Sequence, residues 1–179
     1  MIRAYPKGVR NRVAYDLGTL LDDAIVPGSI EARHALSQSE HVRDLNAWAV
    51  DTARATGRKV PSFDPPPGGT TPRVLFLLQD PSRVAQHGSR MISRDNNDQT
   101  AHNTAALCDD VGLDYCDALH WNVVPWWVAD PELRATGKVR SLSAEAAAAL
   151  PYLRKFLSIV EGSVSKVVLV GKHAEHVWL

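Results

Sequence analysis

Apolar residues change their spacing along this chain at about residue 73. Before that point they recur at helical intervals. "GTLLDDAI" predicts a helix over residues 18–25. After Pro27 and Gly28 a longer pattern over 29–56 carries Leu36, Val42, Leu45, Ala49 and Ala53 near the 3.6-residue period, with Ser29 as its N-cap. These helices are expected to cover a sheet. Next comes "GRKVPSFDPPPGGTT", residues 57–71, whose four prolines and three glycines exclude helix and interior strand and predict a long loop.

Beyond the loop, apolar runs alternate with amphipathic stretches. "VLFLL" is a continuous apolar run, as a parallel strand covered on both faces requires. "TAHNTAALCDDVG" predicts a helix that starts near Asp98 or Gln99, "ALHWNVV" a second strand, and "SLSAEAAAALPYLRKFLSIV" a helix that Pro151 breaks or restarts. "KVVLVG" is a third strand and "KHAEHVWL" begins another helix. Strand followed by helix, three times over, predicts an α/β fold: a three-layer α/β/α arrangement with a short central parallel sheet and N-terminal helices. The same rhythm asks for one more strand after the last helix, so the sheet is expected to lack its final strand. We read residues 1–179 as a single domain, with a helical part over about 1–60, the loop at 57–72 and the α/β part at 73–179.

At 179 residues the chain has the length of one domain, and such a domain buries roughly 70% of its unfolded surface. It is 45% hydrophobic and 22% charged, and its 20 basic and 20 acidic residues cancel. Neutrality argues against a strong non-specific nucleic-acid binder, because phosphate contacts need a gathered basic face. The charge is uneven: Asp109, Asp110, Asp114, Asp117 and Asp130 fall in a stretch with no Lys or Arg, while Lys138, Arg140, Arg154, Lys155, Lys166 and Lys172 follow. Cys108 and Cys116 lack the spacing of a zinc or iron–sulfur site and fit a reducing cytoplasm. No apolar block follows the basic N-terminus, and no run approaches the ~18 apolar residues of a membrane span. The expectation is a cytoplasmic protein with no membrane partner.

In open parallel sheets ligands bind beyond the carboxyl ends of the strands. The residues there are "QDPS" after the first strand, "NVVPWW" at the second and "GKHA" after the third. Asp80 and Pro81 suit a plain turn as well as a site. Asn122 interrupts an apolar strand, and a buried amide needs partners. His173 and His176 lie three apart on a predicted helix, with no third metal ligand in view, so no metal site is expected.

Taken in order, "VLFLLQDPS", "SRDNNDQTAHN", "HWNVVPWW" and "VVLVGKHA" resemble the uracil-DNA glycosylase superfamily over about residues 74–174. The resemblance implies hydrolysis of a glycosidic bond on a base taken out of the DNA stack, by a monomer with no cofactor. By position in the motif, Asp80 would stabilise the oxocarbenium-like sugar and orient the attacking water. Gln79 would line the pocket beside it, and Pro81 would fix the turn. Asn122 would read uracil, its amide oxygen and NH₂ matching N3–H and O4.

Three departures qualify what is carried over. Ser82 stands where the best-known branch has a tyrosine that excludes the 5-methyl of thymine; the smaller residue leaves space near C5, so both the rejection of thymine and the acceptance of 5-modified uracils are open. Met91, with Ser93 nearby in "GSRMISRDNND", falls closest to the ring that stacks on the base, though it suits a plain core methionine as well; Phe63 is a substitute. The family's His-Pro-Ser stretch is absent, since none of the seven histidines precedes a proline. Losing a donor of that kind typically costs about 10²–10³ in rate. The alternative is a catalytically weak or inactive module of the same fold that binds nucleic acid or a protein through the Pro/Gly loop and "VVPWW", with Trp126 and Trp127 as a platform. A third reading is an α/β enzyme acting on a small nucleotide.

Overall fold

The computed structural model describes residues 4–135 and 141–178. Its centre is a three-stranded sheet of β2 (Val74–Leu78), β4 (Ala118–Asn122) and β5 (Lys166–Leu169), all parallel, in the order β4-β2-β5. Register pairs Leu75 with Leu119 and Leu77 with Trp121 on one face, Phe76 with His120 and Leu78 with Asn122 on the other. Successive side chains point to opposite faces of a strand, so the two sets lead to different environments.

The Leu75/Trp121 face carries the core. Leu45, Trp48 and Ala49 from α3 (Glu40–Thr56), Ala146, Ala149, Leu153, Phe156 and Val160 from α6 (Leu142–Val160), and Ala174 from α7 (Lys172–Trp178) pack against it. Phe63 stacks flat on Trp121, ring centroids 3.7 Å apart, and Trp48 meets both edge-on. Toward the opposite face lie α1 (Arg12–Leu17) and α4 (Gln99–Asp110), which contact each other. The protein is thus a mixed α/β fold in three layers, and none of its described helices is long and apolar enough to cross a membrane.

Several local expectations are corrected. "GTLLDDAI" is not helical: Leu21 pairs with Asn96 in an isolated parallel bridge, and the first helix lies earlier, where the Asn11 side chain caps Ala14 N–H and Gly18 at φ 72° closes the turn. The pattern over 29–56 is two helices, α2 (Ser29–His34) and α3, and Leu36 between them is 52% exposed. Ser29 is not the N-cap. Gly28 is, at φ 78°, and Asp23 takes over the capping role by accepting hydrogen bonds from Ile30 N–H and the Ser29 hydroxyl. Pro151 neither breaks nor restarts α6; it is exposed and so is Ala147, whose carbonyl loses its helical donor to the ring and can turn to water.

The Pro/Gly loop is buried over much of 61–69 and contains a strand after all. β1 (Ser62–Phe63) pairs in parallel with β3 (Met91–Ile92), and Phe63 N–H donates to the Asn46 side-chain oxygen. Gly69, at φ 57°, packs so closely on α3 that a Cβ there would sit 2.1 Å from the His41 carbonyl oxygen. The loop is a fixed layer over the core.

A residue from this loop should therefore behave as core. Phe63→Ala is expected to lower the unfolding free energy by about 3–5 kcal/mol, while Leu36→Ala changes it by less than about 0.5 kcal/mol. Chemical denaturation of both variants checks this; equal effects would remove Phe63 from the core.

Candidate active site

A cavity of about 320 Å³ opens between the Phe76/His120 face of the sheet, the start of α4 and the segment that joins β2 to α4. The carboxyl ends of β2 and β4 form one wall. Asp80 lies just past the end of β2, and Asn122 is the last residue of β4, in register with Leu78. Ladder hydrogen bonds continue past both ends, Val123 N–H to the Leu78 carbonyl and Val124 N–H to that of Gln79, so the two chains stay locked where the polar residues begin.

Gln79, Asp80, Pro81, Ser82, Ser93 and Asn122 all line this cavity. Asp80 is held from two sides: one carboxylate oxygen accepts from Val128 N–H and the other from the Gln79 amide, both at 2.8 Å. Burial raises its pKa above the ordinary carboxylate value, opposed by those two hydrogen bonds and by His173. Gln79 thus serves the carboxylate. Ser82 is exposed and donates to Asp98, while its oxygen accepts from Ala85 N–H. Ser93 is spoken for by structure, donating to Asp64 and accepting from Asp95 N–H.

Ser93 belongs to a buried ionic network beside the cavity. Arg33 bridges Asp64 at 2.7 Å and Asp95 at 2.9 Å, and the Tyr115 hydroxyl donates to Asp64. Burial works to lower the Arg33 pKa, but the two carboxylates raise it on balance. Asp95 is raised by burial and by Asp64, against the pull of Arg33. The network ties α2 to the segment after β3 and fixes that wall.

Met91 does not face the cavity. It is fully buried, and Ile92, its neighbour on β3, lines the wall instead, because adjacent strand residues point oppositely. Phe63 is withdrawn into the core against Trp121. The surface expected of "VVPWW" is also largely internal: Val123, Val124, Pro125 and Trp126 are buried, and Trp126 donates its ring N–H to Glu145 at 2.8 Å. Only Trp127 of that pair is partly exposed, edge-on to His87. His173 and His176 line a second cavity of about 250 Å³ behind Gln79, and no three His, Cys, Asp or Glu side chains among the described residues could hold a metal ion.

Two residues that sequence reasoning passed over stand out. His120 is 6% exposed, stacks on Phe76 with centroids 4.8 Å apart, and neither ring nitrogen has a hydrogen-bond partner. Arg94 lies over the Tyr115 ring at 3.7 Å, with Nε and Nη1 buried and unpartnered. Nine buried side-chain nitrogen and oxygen atoms lack partners among the described residues, and six of them belong to Arg94, Asn96, His120 and Asn122, all of which line this cavity. Buried polar groups are normally satisfied, so orphans gathered around one space make it the candidate site. A signal for His120 existed: it precedes Asn122 by two residues and so shares its face.

No family model, curated protein or solved structure matches this chain.

Burial and the Arg94 charge lower the His120 pKa to about 4 from the usual 6.5. Unfolding then takes up a proton between those values, so native stability is complete above about pH 6.5 and is lost as pH falls toward 4, by up to about 3 kcal/mol. Urea unfolding of the wild type and His120→Gln across pH 7 to 4 should show the wild type losing stability relative to the variant by that order; a constant gap between them would contradict it.

Proposed function

We propose that this protein hydrolyses the N-glycosidic bond of uracil, or of a related deaminated or 5-modified base, in DNA, in the manner of the uracil-DNA glycosylases that its motifs resemble. The observation that carries the reading is the Asn122 amide nitrogen, buried and unpartnered, in a cavity that Asp80 also lines. A carboxylate and a base-reading amide at adjacent strand ends are the pair this reaction needs.

The chemistry follows from charge. As the bond between C1′ and the base lengthens, its electrons leave with the base and the sugar gains positive character. An ionised Asp80 opposes that charge and accepts a hydrogen bond from the water that attacks C1′. Asn122 accepts from N3–H of uracil and donates to O4. Ser82 is small, so the wall beside it tolerates a substituent at C5. In this reading the enzyme acts as a monomer in the cytoplasm, with DNA as its partner and no cofactor, since water and a carboxylate suffice for hydrolysis.

The full chain incubated with uracil-containing single- and double-stranded oligonucleotides is expected to release free uracil, and Asp80→Asn to slow release by on the order of 10²-fold or more. An unchanged rate in that variant would remove Asp80 from the reaction. DNA binding without base release would favour a non-catalytic module, and hydrolysis of free deoxyuridine a small-nucleotide enzyme.

Activity that needs ionised Asp80 falls as pH drops through its pKa, which burial holds above the ordinary carboxylate value. Gln79→Ala removes a hydrogen bond to the charged form. The acidic limb of its pH–rate profile is therefore expected to move to higher pH than that of the wild type; an unmoved limb would mean that Gln79 does not tune Asp80.

A further inference from the structure

Two cavities meet at the carboxyl ends of the strands, one on each side of the sheet. Alternation continues past β2, so Asp80 follows Phe76 and Leu78 onto the polar face, while Gln79 follows Leu75 and Leu77 onto the core face. Asn122 and Val123 divide in the same way at the end of β4. Asp80 and Asn122 accordingly line the larger cavity, Val123 lines the one of about 250 Å³, and Gln79 lines both. The strand ends form a crest, and Gln79 stands on it.

The smaller cavity has the character of a slot for a ring. It lies between the first half of α6, which supplies Ala146, Ala147 and Leu150, and α7, which supplies His173, His176 and Val177. No Asp, Glu, Lys or Arg side chain lines it, so it disfavours an ionic ligand. Ser143, His173 and His176 are exposed, and through them the slot opens to solvent. Small apolar side chains beside two imidazoles suit the faces of a flat, uncharged heterocycle, and a hydroxyl and an amide suit its edge. The Gln79 amide donates to Asp80, and its oxygen accepts no hydrogen bond among the described residues. An acceptor at the shared wall matches the exocyclic amine of adenine or cytosine.

We propose that this second cavity takes the base of the nucleotide next to the target uracil, so that the DNA strand crosses the crest at Gln79 with one base on each side. The proposal rests on the glycosylase reading of the first cavity. A sugar held over Asp80 already sits at the crest, and the neighbouring nucleotide is then one backbone unit away on the side of Gln79. The shared wall makes the two bases of one strand the natural occupants of the two spaces.

The test uses short single-stranded oligonucleotides with one deoxyuridine fluorinated at C2′, whose electron-poor sugar resists hydrolysis. The position 5′ or 3′ to it carries either adenine or a base-less tetrahydrofuran residue. Binding to the full chain is read by fluorescence anisotropy, and excision separately on the same sequences without fluorine. Removing the base on one side is expected to weaken binding by on the order of 10-fold, and on the other side by much less. Ala147→Trp fills the slot from an exposed position of α6 and should bring the intact oligonucleotide down to the affinity of the base-less one, with the melting temperature of the free protein unchanged. His176→Ala should lower the same ratio in part. Equal affinity with and without either neighbour overturns the proposal and leaves the uracil reading intact. So does a ratio that survives Ala147→Trp in a folded protein; if that variant unfolds, an unchanged ratio in His176→Ala overturns it instead. A ratio kept in Ala147→Trp while the sedimentation of the protein changes gives the slot to a second copy of this chain. A ratio lost in Ala147→Trp with no uracil released from any oligonucleotide supports the neighbouring-base site and sinks the glycosylase reading alone.

Discussion

The register between β2 and β4 is the constraint on which the rest depends. Leu78 opposite Asn122 fixes Phe76 opposite His120, and with it the division of the sheet into an apolar face and a polar one. A slip of one residue would turn His120 and Asn122 into the space of Leu119 and Trp121 and bring an indole into the cavity. The continuation of the ladder past the strand ends, through Val123 and Val124, holds that register where the site begins. Asp80 owes its position to the same bonds, because its carboxylate is anchored by Val128, a few residues beyond the end of β4.

The two faces have opposite energetics. On one, Phe63, Trp121, Trp48 and Phe156 fill the space between sheet, loop and helices with rings in contact. Offset and edge-on aromatic pairs add about 0.5–1.5 kcal/mol each beyond the area they bury. On the other, the unpartnered buried polar atoms of Arg94, Asn96, His120 and Asn122 each cost about 1–3 kcal/mol. A sheet that had only the polar face would be hard to keep folded. The dense aromatic face makes the unsatisfied one tolerable, which is the pattern of a rigid scaffold that carries a strained site.

Much of the scaffold was legible in the sequence because it follows from periodicity. The apolar runs "VLFLL", "ALHWN" and "KVVL" are the three strands, and helices follow each of them. Asp80 and Asn122 were legible because strand ends in a parallel sheet converge. The misreadings have specific causes. Ser29 resembles an N-cap, but Asp23 from the preceding turn reaches its helix first. Met91 and Ile92 are equivalent by composition, and only the pairing of β3 with a two-residue strand inside a proline-rich loop decides which of them faces the cavity. Arg94 lies in a segment without periodicity. Its placement depends on where the Arg33–Asp64–Asp95 network pins that segment, through the Arg33–Asp95 contact between residues some 60 positions apart in the chain.

The way Asp80 is held bears on what its charge can do. A carboxylate that folds into an ion pair has its charge neutralised in the ground state, as Asp64 and Asp95 do with Arg33. Asp80 forms no such pair among the described residues; a backbone N–H and a side-chain amide hold it, and both are neutral. Neutral donors orient the group and favour its ionised form without cancelling its field, so a positive charge that develops nearby feels almost all of it. Burial strengthens that field by excluding water, and the same burial raises the pKa. These two effects oppose each other: burial prevails, and the hydrogen bonds from Val128 and Gln79 limit how far the pKa rises. For a reaction whose transition state is a cationic sugar, a carboxylate that is oriented but unneutralised is the useful kind.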